Sequence, residues 1–274
     1  MMTVGEAIRA AAERLVVTSD TARLDAEMLM AHALGVGRSE MLLKAMRDPT
    51  PKSFAALVER RLGHEPLGYI TGEAEFYGLS LQVTPATLIP RSDSETLVEA
   101  ALEFAGEVGR AIDLGTGSGA LLLALLANRS GWTGVGIDAS GAALAVASAN
   151  AAALGLADRS AWHHQSWRTP GWADVLGTFD LILCNPPYVE DDADLDPDVR
   201  DFEPASALFA GPEGLDDYRI LLPQLRALMN PGAVAIFEIG YTQAEAVTGI
   251  AAAAGFSAKL RRDLAGRPRA LLLS

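Results

Sequence analysis

Asn185-Pro186-Pro187-Tyr188 follows directly on an apolar run, residues 179–184. Two prolines fix φ and remove two N–H donors, so the turn is stiff. A stiff turn at the end of a strand holds an asparagine side chain in one pose. The side-chain carbonyl of Asn185 and the backbone carbonyl of Pro186 then offer two acceptors to the hydrogens of a planar NH₂ group. Tyr188 is available to stack on that group's flat face. Such a nitrogen, in an amide or an aromatic amine, is a poor nucleophile because its lone pair is delocalised. Two acceptors on its hydrogens push density back and aim the lone pair, and orientation of this kind is worth ~7–11 kcal/mol in favourable cases. A rigid loop with a packed tyrosine is the plainer alternative.

A second constellation lies upstream. Asp113-Leu114-Gly115-Thr116-Gly117-Ser118-Gly119-Ala120 closes a predicted strand and opens a predicted helix. Alternating glycines allow a tight turn with no Cβ between ligand and backbone. Gly115, Gly117 and Ala120 also satisfy the dinucleotide fingerprint in its Gly/Ala form, so the loop alone does not choose between NAD and S-adenosylmethionine. Asp138 ends the next predicted strand, roughly 20 residues on, where a carboxylate accepts both ribose hydroxyls. Asp138 could instead cap the following helix, although Ser140 is the better-placed cap. Asp113 has two candidate tasks: to hold the loop, or to meet a cationic amino group. Trp167 follows the third strand and either covers an adenine or packs in the core. Cys184 has no base near it in sequence and reads as a buried small apolar residue.

These residues need a scaffold that brings strand ends together. From about residue 109 the pattern alternates strand and helix: strands over 110–114, 134–137, 160–164, 179–184 and 233–238, with helices over 118–128, 140–154, 215–229 and 242–254. A closing pair of strands covers 257–261 and 269–273. This alternation predicts a parallel sheet with helices on both faces, in which ligands bind beyond the carboxyl ends of the strands. Ahead of it, apolar residues recur at helical spacing (Val4, Ile8, Ala12, Leu15; Leu24, Met28, Ala31, Leu34). Further helices are expected over 39–46 and 54–62, making a small bundle. Between the two parts, residues 69–71 and 76–83 suggest a β-hairpin, and a helix begins near Ser92. The segment 189–214 is long, acidic over 190–198 and carries Pro197, Pro204 and Pro212. Loops of this length are usually functional, and this one is expected to border the substrate entrance and to order on partner binding.

The chain is identified by these motifs as resembling the bacterial release-factor glutamine methyltransferases of the HemK/PrmC type. The resemblance runs through nearly the whole length. Glu65-Pro66-Leu67-Gly68-Tyr69-Ile70-Thr71-Gly72 looks like the family's linker signature, and Leu88-Ile89-Pro90-Arg91 followed by Glu95 like the start of its catalytic domain. Glu203-Pro204, Gly214-Leu215 and Tyr218-Arg219 match the stretch after the substrate motif, and residues 265–269 match its carboxyl-terminal ending. Asn-Pro-Pro-Tyr alone is shared with adenine-N6 DNA methyltransferases; the other signatures narrow the assignment. The resemblance implies an α/β fold: a class I (Rossmann-like) methyltransferase sheet over 91–274, a linking β-hairpin over 69–90, and an N-terminal helical substrate-docking domain over 1–68. It implies methyl transfer from S-adenosyl-L-methionine to the side-chain amide nitrogen (N5) of the glutamine in the Gly-Gly-Gln motif of peptide chain release factors. Cofactor contacts would fall on Gly115, Thr116, Gly117, Ser118, Gly119, Asp138, Trp167 and Asn185. Substrate contacts would fall on Asn185, Pro186, Pro187 and Tyr188, with Asn185, Pro186 and Tyr188 catalytic. The chain departs from the family at Ser166, where an acidic residue usually precedes the tryptophan, so adenine would be held by stacking and backbone. A second departure is Ser92-Asp93-Ser94-Glu95, where Pro-Glu-Thr-Glu is commoner; Glu95 is kept.

Composition bears on the rivals. The chain has 274 residues, half of them hydrophobic, with 22 basic and 35 acidic side chains and a net charge of −13. That balance opposes broad gripping of a nucleic-acid backbone and counts against an adenine-N6 enzyme, so no direct DNA binding is expected. An NAD-dependent oxidoreductase would leave 185–188 unexplained. A decayed, non-catalytic fold would have lost its motifs. One cysteine excludes an internal disulfide, and the four histidines lack metal-ligand spacing, so no metal is expected. The first residues lack the features of a signal peptide, and the longest apolar run, residues 120–127, is too short for a bilayer. A cytoplasmic protein with no membrane partner is the expectation.

Overall fold

The computed structural model describes residues 2–274. They divide into two compact units, one comprising residues up to Glu73 together with Leu195–Phe202, the other Ala74–Asp194 with Glu203–Ser274.

The first unit is helical. Helix α1 (Val4–Leu15) starts on a reciprocal cap: the Thr3 hydroxyl accepts from the Glu6 N–H, and the Glu6 carboxylate accepts from the Thr3 N–H. Helix α2 (Ala22–Leu34) ends on Gly35 at φ +67°. Helix α3 (Arg38–Glu40) runs on as a π-helical turn over Met41–Ala45, so the regular helix expected over 39–46 is shorter and wider than the sequence indicated. Helix α4 (Phe54–Leu62) has the expected bounds. Val4, Ile8, Leu15, Leu29, Met30, Met41 and Val58 form the core of this unit. Inside it Arg61 donates from Nε to Asp25 Oδ2 at 2.7 Å with both side chains buried; losing one partner of such a pair costs ~3–5 kcal/mol.

Residues 69–71, expected as a strand, are helical: α5 (Leu67–Thr71) follows Pro66 and stops at Gly72, φ +81°. The helical path buries Tyr69 and Ile70. The hairpin begins just after, with β1 (Glu73–Phe76) and β2 (Leu79–Gln82). Its two turn residues, Tyr77 (φ 49°) and Gly78 (φ 74°), are both left-handed, as the tight hairpin turn requires. Glu95 accepts from the Tyr77 N–H at 2.8 Å and holds the non-glycine member there.

The second unit is a seven-stranded sheet in the order β5-β4-β3-β6-β7-β9-β8. Its strands are β3 (Val108–Leu114), β4 (Gly131–Asp138), β5 (Ser160–His164), β6 (Phe179–Cys184), β7 (Met229–Glu238), β8 (Ala258–Arg262) and β9 (Pro268–Leu273). The first five are parallel; β9 runs antiparallel between β7 and β8. Helices α6 (Glu95–Phe104), α7 (Ala120–Asn128), α8 (Gly141–Ala153), α9 (Pro197–Arg200), α10 (Asp216–Leu221) and α11 (Ala244–Ala253) complete the elements used below; α9 falls in the segment grouped with the helical unit. Helix α7 is apolar all round and buries every residue from Ala120 to Leu126, the pattern of a helix enclosed on all sides. Each fully buried leucine contributes ~1.5–3 kcal/mol.

The single helix expected over 215–229 is broken. α10 passes into a 3₁₀ stretch, Leu222–Leu228, with Pro223 in its first turn. Proline lacks the N–H that an α-helical interior needs. The segment 189–214 has structure of its own: α9, a 3₁₀ turn at Ala205–Ala207 and a bridge between Val189 and Phe209.

Candidate active site

The chain runs from β3 outward to β4 and β5, then crosses back to β6 on the other side of β3. That reversal opens a crevice at the carboxyl ends of the strands. A cavity of about 600 Å³ lies there, walled by the loop after β3, the end of β4, the loop after β5, the turn after β6 and residues 204–209.

The glycine loop is fixed by backbone bonds. Gly115 N–H and Thr116 N–H both donate to the Ile137 carbonyl at 2.9 Å. Gly115, Gly117 and Gly119 all have positive φ, between +55° and +84°, a region that side chains resist. At Gly115 a Cβ would also stand 3.1 Å from the Trp167 ring. Asp138 pins the loop from the next strand: one carboxylate oxygen accepts from Gly117 N–H at 2.9 Å, the other from Ser140 N–H at 2.8 Å. Ser140 is the side-chain cap of α8, accepting from the Ala143 N–H. Asp138 is half-buried on the cavity wall, and each oxygen keeps a lone pair for a ligand hydroxyl. Thr116 and Ser118 are buried within the loop.

Asp113 performs the first of its two candidate tasks: its Oδ2 accepts from the Thr116 hydroxyl at 2.6 Å. Its Oδ1 is buried with no hydrogen-bond partner. Burial, with a smaller push from the Asp138 charge, raises this carboxyl to about 7. An orphaned acidic oxygen in a cavity wall fits the cationic end of a ligand.

Trp167 stands on the glycine loop at Gly115, and its indole N–H donates to Asp217 Oδ1 at 2.7 Å. Arg168 donates to the same oxygen at 2.8 Å. Asp217 is 1% exposed and lines the cavity. Ser166 is also in the wall.

Across the cavity, Asn185 and Pro187 belong to the wall, and both prolines of the turn are buried. Asn185 Nδ2 donates one hydrogen to Ser94 Oγ in a long contact of 3.5 Å, an orientation that leaves the amide oxygen for an incoming donor. Tyr188 is not in the wall. Its ring packs against the sheet core and its hydroxyl donates to Glu238 Oε1 at 3.2 Å. Burial, then the Glu238 charge, pushes the phenol well above its ordinary range. The turn is braced from behind by Gln243, whose amide donates to the Tyr188 carbonyl at 3.0 Å. Cys184 is fully buried and its thiol is pushed up by burial, in keeping with a packing role. The segment 189–214 does reach the cavity, through Pro204, Ser206, Ala207 and Phe209. Among the described residues no three metal-ligating side chains gather, and no helix is long and apolar enough to cross a membrane.

The PrmC N-terminal domain model matches residues 6–72, and the methyltransferase small domain model matches residues 92–202. A release factor glutamine methyltransferase of Rhodospirillum rubrum is 44% identical over 257 residues, covering 91% of this chain and 78% of that protein. One of Cereibacter sphaeroides is 42% identical over 98% of this chain and 97% of its own length. The chain belongs to the release factor glutamine methyltransferases. It is thus an S-adenosyl-L-methionine-dependent methyltransferase, and these relatives do not favour the adenine-N6 alternative. Solved structures agree on the fold: a methyltransferase from Pyrococcus furiosus superposes with a TM-score of 0.53 at 17% identity, over 72% of this chain and 88% of that one. The hMettl16 catalytic domain superposes with a TM-score of 0.56 at 17% identity, over 72% and 76%.

Four residues of this methyltransferase site escaped the sequence reading. Asp217 holds Trp167. Ser94, itself in the cavity wall, meets Asn185, and Glu238 holds the Tyr188 hydroxyl. Asn150, buried on α8, donates to the carbonyls of Gln82 and Ser118 at 3.0 and 2.9 Å and accepts from Gln82 N–H at 2.7 Å, tying the hairpin to the glycine loop. Glu238 carried a signal: like Asp138, it is an acid closing an apolar strand. Asn150 carried a fainter one, as a polar residue in an alanine-rich run.

Proposed function

We propose that the chain transfers the methyl group of S-adenosyl-L-methionine to the side-chain N5 of the glutamine in the Gly-Gly-Gln motif of peptide chain release factors. The observation that carries this reading is Asn185: its amide lines the same cavity as the glycine loop, with its nitrogen turned toward Ser94 Oγ at 3.5 Å. The domain-model matches and the similarity to proteins named release factor glutamine methyltransferases support it.

The bound cofactor supplies a methyl group activated on a sulfonium. The chain's part is to bind and to aim. Gly115, Thr116, Gly117, Ser118 and Gly119 let the ligand lie against backbone. Asp138 accepts the ribose hydroxyls with the lone pairs left over from Gly117 and Ser140. Asp113 faces the amino end, and Trp167, clamped by Asp217, covers the adenine. The carbonyl oxygens of Asn185 and Pro186 would accept the two amide hydrogens and aim the nitrogen; as the N–C bond formed, the methyl–sulfur bond would break with its electron pair left on sulfur, and one amide proton would pass to water. Pro187 and Tyr188 keep the turn stiff, Tyr188 from behind through its hydroxyl rather than as an open stacking face. The helical part, which matches the PrmC N-terminal domain, docks the release factor. The net charge of −13 argues against a DNA partner, and a substrate from the translation apparatus implies work in the cytoplasm.

Mass spectrometry of a release factor incubated with the chain and the cofactor tests the proposal. One added methyl on the Gly-Gly-Gln glutamine is expected. No gain, or a methyl on another residue, overturns it.

A further inference from the structure

Leu88-Ile89-Pro90-Arg91 and Glu203-Pro204 stand out in the sequence yet take no part in the steps above. The fold brings them together. Arg91 Nη2 donates to Glu203 Oε1 at 2.6 Å, and Arg91 Nη1 donates to the Ile89 carbonyl at 2.9 Å. The Glu203 side chain is 1% exposed and that of Arg91 40%. A carboxylate buried so far needs a partner to stay charged, and the planar fork of an arginine reaches two acceptors at once.

Neither residue is in the cavity wall, but each adjoins a proline that is, Pro90 and Pro204. Proline is stiff, so a shift at Arg91 or Glu203 is passed on to the wall. From Pro204 the chain runs along the cavity, giving it Ser206, Ala207 and Phe209, with a 3₁₀ turn at Ala205–Ala207. Its far end is tied to the residue that follows Tyr188. The Val189 N–H donates to the Leu208 carbonyl at 2.8 Å, and the Ala210 N–H donates to the Val189 carbonyl at 2.9 Å. Residues 203–210 therefore make an arch with two feet, one on Arg91 and one on Val189.

Charge divides the cavity. Its charged wall residues are Asp113, Asp138, Arg168 and Asp217, which stand at the glycine loop, at the end of β4 and around Trp167. The arch and the segment before Arg91 contribute only uncharged side chains, among them Leu88 and Phe209. An apolar stretch tied to the Asn185–Tyr188 turn suits a neutral stretch of polypeptide, and charged groups of the cofactor would be left unpaired there.

We propose that Arg91 and Glu203 are a pair of positioning residues whose ion pair sets one foot of the arch, and with it the slot that holds the substrate backbone beside Asn185. This rests on the methyl-transfer function proposed above. With the pair broken, the foot at Val189 remains and the arch swings on it. The glutamine is then held less tightly, while the glycine loop and Asp138 keep their own bonds.

The test is steady-state methylation of a release factor at saturating cofactor by wild type, Arg91→Ala, Glu203→Gln and the double variant, with cofactor binding followed by calorimetry. Arg91→Ala should raise KM for the release factor and lower kcat/KM by about tenfold to a hundredfold, the scale of a misplaced reacting group. Cofactor affinity should stay within a few-fold of wild type. Glu203→Gln should shift KM the same way by less, because a neutral amide still accepts from Arg91, more weakly. The double variant should fall no further than Arg91→Ala, since both changes act on one contact. A fall in kcat with KM unchanged would be mere loss of folded enzyme and overturns the proposal, as does a parallel fall in cofactor affinity. An effect of Arg91→Ala with none of Glu203→Gln, or single effects that multiply in the double variant, would make Arg91 a direct contact of the release factor and also overturns it. Should Arg91→Ala fail to fold because it strands a buried charge, Arg91→Lys takes its place: a lysine keeps the charge but lacks the fork that spans both acceptors, and an unchanged KM overturns the proposal. Variants with wild-type KM on an active wild type sink this inference alone; a wild type that methylates no release factor overturns the function itself, and this inference with it.

Discussion

The two ends of the cavity are held by different means. At the glycine loop the fixing bonds run from backbone N–H groups, two to the Ile137 carbonyl and one to the Asp138 carboxylate. Around Asn185 they run between side chains: its amide nitrogen to Ser94 Oγ at 3.5 Å and, on the same turn, the Tyr188 hydroxyl to Glu238 Oε1 at 3.2 Å. A backbone cradle is rigid and indifferent to most side-chain changes, which suits binding. Side-chain contacts are adjustable and fragile, which suits the aiming of one reacting atom. The contrast separates affinity from rate, and each half breaks on its own.

The sharpest break is Asn185→Ala. The prolines remain and the fold should hold, but the rate at saturating cofactor should fall by at least ~10²-fold, the scale of one lost preorganised contact in a transition state. Calorimetry should find cofactor affinity changed far less. Turnover within a few-fold of wild type would end the account of Asn185 as acceptor. The mirror experiment is Asp138→Ala. It removes charge-assisted hydrogen bonds worth ~1.5–3 kcal/mol, so cofactor binding should weaken by about tenfold to a hundredfold, with the rate at saturation much less affected. Unchanged affinity would sink the ribose assignment.

A smaller effect sharpens the cofactor side. Asp113 is protonated in the free chain below about 7, and a cationic amino end favours its ionised form. Binding then expels a proton in that range, and cofactor affinity should drop as pH falls, by up to about tenfold per unit. Calorimetry in buffers of different ionisation enthalpy reads the proton directly. Asp113→Asn should bind more weakly and lose this dependence; a variant with the wild-type slope would refute it. The smallest effect belongs to Asn150→Ala. It leaves the Gln82 and Ser118 groups without their partner, at a cost of ~1–3 kcal/mol. Thermal unfolding should shift down by several degrees, at ~2–4 °C per kcal/mol for a domain of this size. An unmoved midpoint would mean that the hairpin and the loop are held by other contacts.

What the sequence revealed follows the same division. Backbone devices are local, and a local device is written in adjacent residues. The alternating glycines, the paired prolines and the runs over 160–164 and 179–184 were all readable, and two of the strands fall on those bounds. The side-chain contacts were not readable, because Ser94 meets Asn185, and Glu238 meets Tyr188, only through the pairing of β6 with β7 beside the start of α6. Asp217 likewise meets Trp167 only in three dimensions. Where local reading failed, a competing local fact had been passed over. Pro223 interrupts the predicted helix over 215–229. Residues 69–71 lie between Pro66 and Gly72, the start and stop signals of a short helix.

Cys184 gives the molecule a clock. It is the single thiol of the chain, fully buried at the end of β6 and next in sequence to Asn185. An alkylating reagent reaches it only when that strand end opens, because burial both shields the sulfur and keeps it protonated. The labelling rate therefore measures how often the reacting corner comes apart, with no probe to be engineered in. Labelling that slows when cofactor is added would mean that the ligand clamps this corner closed. Labelling at the pace of global unfolding would mean that the corner opens only with the whole sheet.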